Sequence, residues 1–230
     1  MRLTFNMRKN YHTGFFIVAL MLFAGLQSLF AQKKISDLTL VYETSITAGE
    51  NKQPGLADAL NGAVTTVYIK GHLSRSEMNS ALFSSTTIHD ARTGNAVVLR
   101  EVSGQKLMIR MTAENMAEKN SKYEGVKFEN TGKTKSIAGY NCQEAIATLK
   151  DGSSFKVYYT TEIIPENKSY DYQFKDLNGL PLEYELSQGN LVIRYTVSMI
   201  NLNPVPASKF DIPKSGYRVM TYEESQQLRR

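Results

Sequence analysis

Three groups of residues carry side chains that could do chemistry. Glu183 and Glu185 stand two apart in "LPLEYEL", a spacing that puts both carboxylates on one side of a strand and suggests a catalytic pair, whereas a glycosidase pair flanks a cleft with one member desolvated. Their alternation with Leu182, Tyr184 and Leu186 instead places them on the solvent face of a half-covered strand, where a cross-strand cation such as Arg194 would pair with them. His72 and His89 fall on different expected strands, and no third ligand suggests itself for a metal. Cys142, in "GYNCQEAIATLKDG", has no cation-rich neighbourhood to lower its pKa and reads as a buried, inert thiol. Nucleophile elbow, phosphate-cradling glycine loop and paired-histidine zinc motif are all missing from the sequence. The expectation is a protein that is not an enzyme and uses no cofactor or metal.

The start of the chain bears on compartment. Arg2, Arg8 and Lys9 precede "GFFIVALMLFAGL" (Gly14 to Leu26), an uncharged apolar run of h-region length, and "QSLFA" follows. Residues 1–31 therefore read as a signal peptide, cleaved after Ala31, although Leu29 is large for the −3 position. The run is short for a membrane span of about 20 residues, so no stable span is expected after cleavage. No cysteine near the cleavage site could take a lipid anchor. Cys142 is the single cysteine, which excludes an internal disulfide and suits a bacterial periplasm better than a eukaryotic exterior.

Removing those 31 residues changes the charge. The full chain has 27 basic and 22 acidic side chains; without Arg2, Arg8 and Lys9 the balance is 24 against 22, about +2 where the full chain has +5. No block of basic residues with interleaved aromatics occurs, so nucleic acid is not an expected partner. Residues 32–230 are of a length for one domain with a sizeable core.

The elements that must position any site are mostly strands. Apolar and polar residues alternate in "LTLVYETSI" (Leu38, Leu40, Tyr42) and in "AVTTVYIKGHLSRSEM" (Val67, Ile69, Leu73). "NAVVLREV" and "KLMIRMT" flank Ser103-Gly104 as a hairpin, and turns are expected at Ala138-Gly139 and Asp151-Gly152. "YDYQFK", "LPLEYEL" and "NLVIRYTVSMINL" extend the series to nine to eleven strands of an antiparallel meander. Thr112 offers an N-cap for one short helix, and Thr221 with Glu224 has capping-box spacing for another. Residues 50–63, bounded by Pro54-Gly55 and Asn61-Gly62, suit a flap with a single helical turn from Leu56 to Leu60.

"KTKSIAGYNCQEAIATLKDGSSFKVYYTTEI", "GLPLEYEL" and "SKFDIPKSGYRVMTYEE", in that order, resemble the DUF4412 family of exported Bacteroidetes proteins, over about Leu38 to Glu224. That family is similar to periplasmic lipoprotein carriers of the LolA and LolB type and to GLPGLI proteins. The resemblance implies a mainly β (α+β) fold: an antiparallel sheet curled into an open half-barrel, with a few short helices closing its concave side. It also implies a soluble periplasmic binding protein that shelters a lipid or lipoprotein acyl chain. The expected lining is Val67, Ile69, Met108, Leu182, Tyr184, Leu186 and Val192, with Leu56 and Leu60 from the flap. The same alternation equally fits an ordinary packed core in a non-catalytic envelope module that binds a protein partner.

Overall fold

Leu38, Leu40 and Tyr42 on β2 (Asp37–Ala48) stand opposite Ile69, Val67 and Thr65 on β3 (Val64–Lys70), and all six side chains are buried. That row sets the two faces of a twelve-stranded sheet. The computed structural model describes residues 33–48, 56–189 and 191–228. The other strands of the sheet are β4 (Leu73–Asn79), β5 (Phe83–Asp90), β6 (Ala96–Val102), β7 (Gln105–Met111), β8 (Lys127–Ile137), β9 (Tyr140–Thr148), β10 (Ser154–Thr160), β12 (Leu180–Gln188), β13 (Leu191–Asn201) and β14 (Arg218–Thr221). The order is β14-β7-β6-β5-β4-β3-β2-β13-β12-β10-β9-β8, so β14 and β8 are edges and the sheet is not closed into a barrel. Neighbours are antiparallel except β14 and β7. A separate parallel pair joins β1 (Lys33–Ile35) to β11 (Ile163–Pro165).

Local chemistry explains the joints. Ser103-Gly104 turns β6 into β7 with φ of 51° and 77°, the left-handed pair a two-residue hairpin requires. Three short α-helices occur among the described residues: α1 (Leu56–Leu60), α2 (Ala113–Asn120) and α3 (Tyr222–Gln227). Capping boxes open the last two. Thr112 Oγ1 accepts from the Asn115 N–H at 3.3 Å and Asn115 Oδ1 from the Thr112 N–H at 3.1 Å, while Thr221 and Glu224 do the same at 3.2 and 2.8 Å.

"YDYQFK" does not extend the sheet as the alternation predicted. It folds into 3-10 turns at Lys168–Tyr170 and Tyr172–Phe174, because Asn167 and Asp171 accept from backbone N–H groups two residues on, at 3.1 and 3.3 Å. These turns deliver Phe174, 3% exposed, onto the main core with Leu177 and Ile163. That core fills one face of β2, β3 and β9 to β13. Strands β5 to β7 are covered on both faces: Ala96 and Val98 pack with Met116 of α2 and Tyr222 of α3, while Val97 and Leu99 pack with Tyr217 on the other side.

Candidate functional site

The apolar face of β12 is closed by protein. Leu182 is 0% exposed, and the Tyr184 ring meets Tyr42, Phe174 and Tyr195 at centroid distances of 5.8, 4.9 and 4.8 Å. Val67 and Ile69 belong to the same core, and Leu186 packs half-buried against it. Leu60 is buried too, whereas the side chain of Leu56 lies outside the described residues, as do residues 50–55 of the flap. Met108 and Val192 are on the opposite face. Val192 pairs with Ser187 and Thr47 while Ile193 pairs with Leu186 and Ile46, so Ile193 is the one that shares the core side. The run Leu191-Val192-Ile193 is apolar throughout and cannot show by alternation which member points inward. The structure thus does not gather the nine expected lining residues into one wall.

Glu183 and Glu185 stand in a cross-strand ion ladder. Glu183 accepts from Lys135 Nζ at 2.6 Å and Thr196 Oγ1 at 3.2 Å, and Glu185 from Arg194 Nε at 2.8 Å and Nη2 at 2.5 Å. Cys142 is fully buried, and burial pushes its thiol pKa up to about 11. His72 lies 3.7 Å from Asp90, and burial pushes the His89 pKa down, favouring a neutral ring.

Space for a ligand opens elsewhere. Register aligns Tyr68, Arg75, Ile88, Val97, Arg110 and Thr221 as one row across β3, β4, β5, β6, β7 and β14, on the face away from the main core. A strap from Val205 to Pro213 crosses this row. Its start is tied by the Val205 N–H to Asp37 Oδ2 at 2.9 Å, with Asp37 itself paired to Lys70 at 2.9 Å. Arg75 Nη1 then donates to the Lys209 carbonyl at 3.1 Å, and Lys209 Nζ to Tyr68 Oη at 3.3 Å. So held, Phe210 packs on Ile88, and Ile212 continues toward Arg110.

Between strap and strand ends lies a cavity of about 680 Å³. Leu73, Ile88, Val97, Met111, Phe210 and Ile212 give it apolar walls, and His89, Asp90, Asn95, Arg110, Asn115 and Glu223 add polar groups. The mouth is shaped by helix ends. Asn115 Nδ2 donates to Glu223 Oε1 at 2.9 Å, joining the starts of α2 and α3. Gly94 lets the β5–β6 loop close on α2, since a Cβ there would stand 2.8 Å from Ala113 Cβ at a φ of +74°. A second cavity of about 340 Å³ adjoins the first, sharing Arg110 and Ile212 and adding Lys214, Ser215 and Tyr217. On the core face, where Val67 and Ile69 give way to Ser76 and Ser74, a polar hollow of about 200 Å³ is lined by Thr87, His89, Tyr170 and Asp171. Sequence reasoning missed Phe210, Ile212 and Arg110. The available signal was "AVVL", apolar at four successive positions, which marks a strand covered on both faces.

Among the described residues no group of three or more His, Cys, Asp and Glu could hold a metal, and no helix is long and apolar enough to cross a membrane. The arrangement is a shaped apolar recess with polar groups at its rim, on an open, mostly antiparallel sheet. It defines a class of β-sheet proteins built around a recess, here with α2 and α3 starting at its mouth. The chain belongs to the family described as Domain of unknown function (DUF4412), which matches residues 56–176. An uncharacterized conserved protein from Thermus thermophilus shares the fold at 9% identity and a TM-score of 0.50, over 89% of this chain and 99% of that one. PNGF-II matches at 10% identity and a TM-score of 0.49, over 84% of this chain; the chain spans 33% of PNGF-II. A LolA superfamily protein from Nitrosomonas europaea matches at 9% identity and 0.33, over 79% of this chain and 92% of that one. No curated protein matches the sequence.

Proposed function

We propose that the protein is an exported, periplasmic binding protein that shelters an apolar ligand, a lipid or acyl chain, without chemistry of its own. The supporting observation is the cavity between the strap and the ends of β4 to β7. Its volume of about 680 Å³ lies within the range of about 300–1,000 Å³ usual for small-molecule sites, and its apolar walls with a few convergent polar groups fit that class. An acyl chain seated there would gain roughly 25 cal/mol per Å² of apolar surface removed from water. The character of residues 1–31 supports export.

The site differs from the one alternation suggested, since Leu182 and Tyr184 already have protein partners and the β4–β7 end has room. Solvent extraction of the purified protein followed by mass spectrometry should release a stoichiometric lipid. Ile212→Asp should abolish its retention while leaving circular dichroism unchanged, because Ile212 is 40% exposed at the rim. Lipid-free wild-type protein that also fails to take up added fatty acid would overturn the reading.

A further inference from the structure

The apolar cavity and its neighbour differ in character, and Arg110 is the charged residue they share. The first is walled by Ile88, Val97 and Phe210, the second carries Lys214, Ser215 and Tyr217, and Arg110 lines both. The acidic groups of the first cavity are engaged: Asp90 with Arg92 and His72, and Glu223 with Asn115. The side chains of Arg110 and Lys214 make no ion pair or hydrogen bond among the described residues. Ile212 and Val219, at 40% and 56% exposed, leave uncovered apolar surface beside Arg110.

The geometry points to a ligand that is an anionic single-chain amphiphile, a long-chain carboxylate, with its tail in the larger cavity and its head on the Arg110 guanidinium. This inference rests on the binding role proposed above and specifies the ligand's charge. A guanidinium matches a carboxylate through two parallel N–H donors, which a point charge cannot do. Lys214, on the polar side of Arg110, adds attraction without fixing orientation. A neutral amphiphile would leave both cations as they are and gain only from burial of its tail.

Isothermal titration of the purified protein with palmitate, hexadecanol and a cationic amphiphile of equal chain length tests the assignment. Palmitate should bind about tenfold more tightly than hexadecanol, the size of one charge-assisted contact at a wet rim, and the cation most weakly. Arg110→Gln should erase that preference while hexadecanol affinity stays unchanged, and Arg110→Lys should restore part of it. Equal binding of palmitate and hexadecanol by the wild type would overturn the anionic assignment and leave the binding role standing. A preference that survives in Arg110→Gln would overturn the role of Arg110. Failure of all three to bind would overturn both.

Discussion

Tyr158 on β10 donates its phenolic hydrogen to Glu144 Oε2 on β9 at 2.5 Å, across the directly paired positions of the two strands. The glutamate side chain is only 3% exposed, and it also accepts from Thr131 Oγ1 at 2.9 Å with Lys133 Nζ at 3.5 Å. Residues 131–133 reach it because β8 shifts register between Asn130 and Thr134. An acid in the middle of a strand is thereby roofed with donors and kept as a carboxylate.

The Tyr158 hydrogen bond is the main cause holding the Glu144 pKa below its ordinary 4.5, and the Tyr158 pKa is correspondingly pushed up to about 12. Tyr158→Phe keeps the ring, over which Lys135 sits at 4.1 Å, and removes only the donor. The variant should lose about 1–3 kcal/mol at pH 7, the cost of an under-satisfied buried acceptor. A carboxylate with a lowered folded pKa contributes stability above its unfolded pKa and loses it as pH falls through the folded value. The gap between wild type and Tyr158→Phe should therefore shrink below about pH 4. Urea midpoints at pH 7 and pH 3 measure it, and a gap that stays constant would contradict the assignment.

Asp171 behaves in the opposite sense. Burial pushes its pKa from 3.8 up to about 6, against the two hydrogen bonds from Gln173 that favour the charged form. A group raised in this way contributes stability below its unfolded pKa, and that contribution is lost as pH rises through about 6. Asp171→Asn keeps an oxygen for the Gln173 N–H and removes the charge. It should stabilise the protein by about 1 kcal/mol at pH 7.5, with the advantage fading toward pH 4. Thermal melts across that interval would show it. An advantage that grows on acidification would refute the buried charge.

How much of this was legible depends on range. The core row Leu38, Leu40, Tyr42 was plain from alternation, and the caps at Thr112 and Thr221 from side chains only three residues away. The segment around Asp171 was misread because tyrosines and phenylalanine imitate a strand, while Asn167 and Asp171 set turns within two residues. The cavity was not legible at all. It depends on Phe210 and Ile212 meeting Ile88 and Arg110, contacts between segments about a hundred residues apart or more that no local period encodes.

Cys142 is 0% exposed in the main core, and its thiol pKa is pushed up to about 11, chiefly by burial. A thiol reagent at pH 7.5 should label it slowly in the native protein and rapidly in denaturant, because access and thiolate are both withheld. Cys142→Ala should lower stability by about 1 kcal/mol through lost packing. Fast native labelling would mean the main core opens far more readily than its packing implies.

The contrast between two apolar sites provides the last test. Leu182 is 0% exposed in the main core, where an introduced carboxylate would have neither water nor a cation. Leu182→Glu should then cost more than about 4 kcal/mol, the range reached when a charge is buried unpaired, and leave little folded protein. Ile212 already reaches solvent beside Arg110, so Ile212→Asp should shift stability by no more than about 0.5 kcal/mol, as substitutions at exposed positions usually do. Chemical denaturation of both variants distinguishes a packed core from an open recess. A well-folded Leu182→Glu would mean that β12 fronts a water-filled hollow after all, and the ligand site would have to be sought on that face.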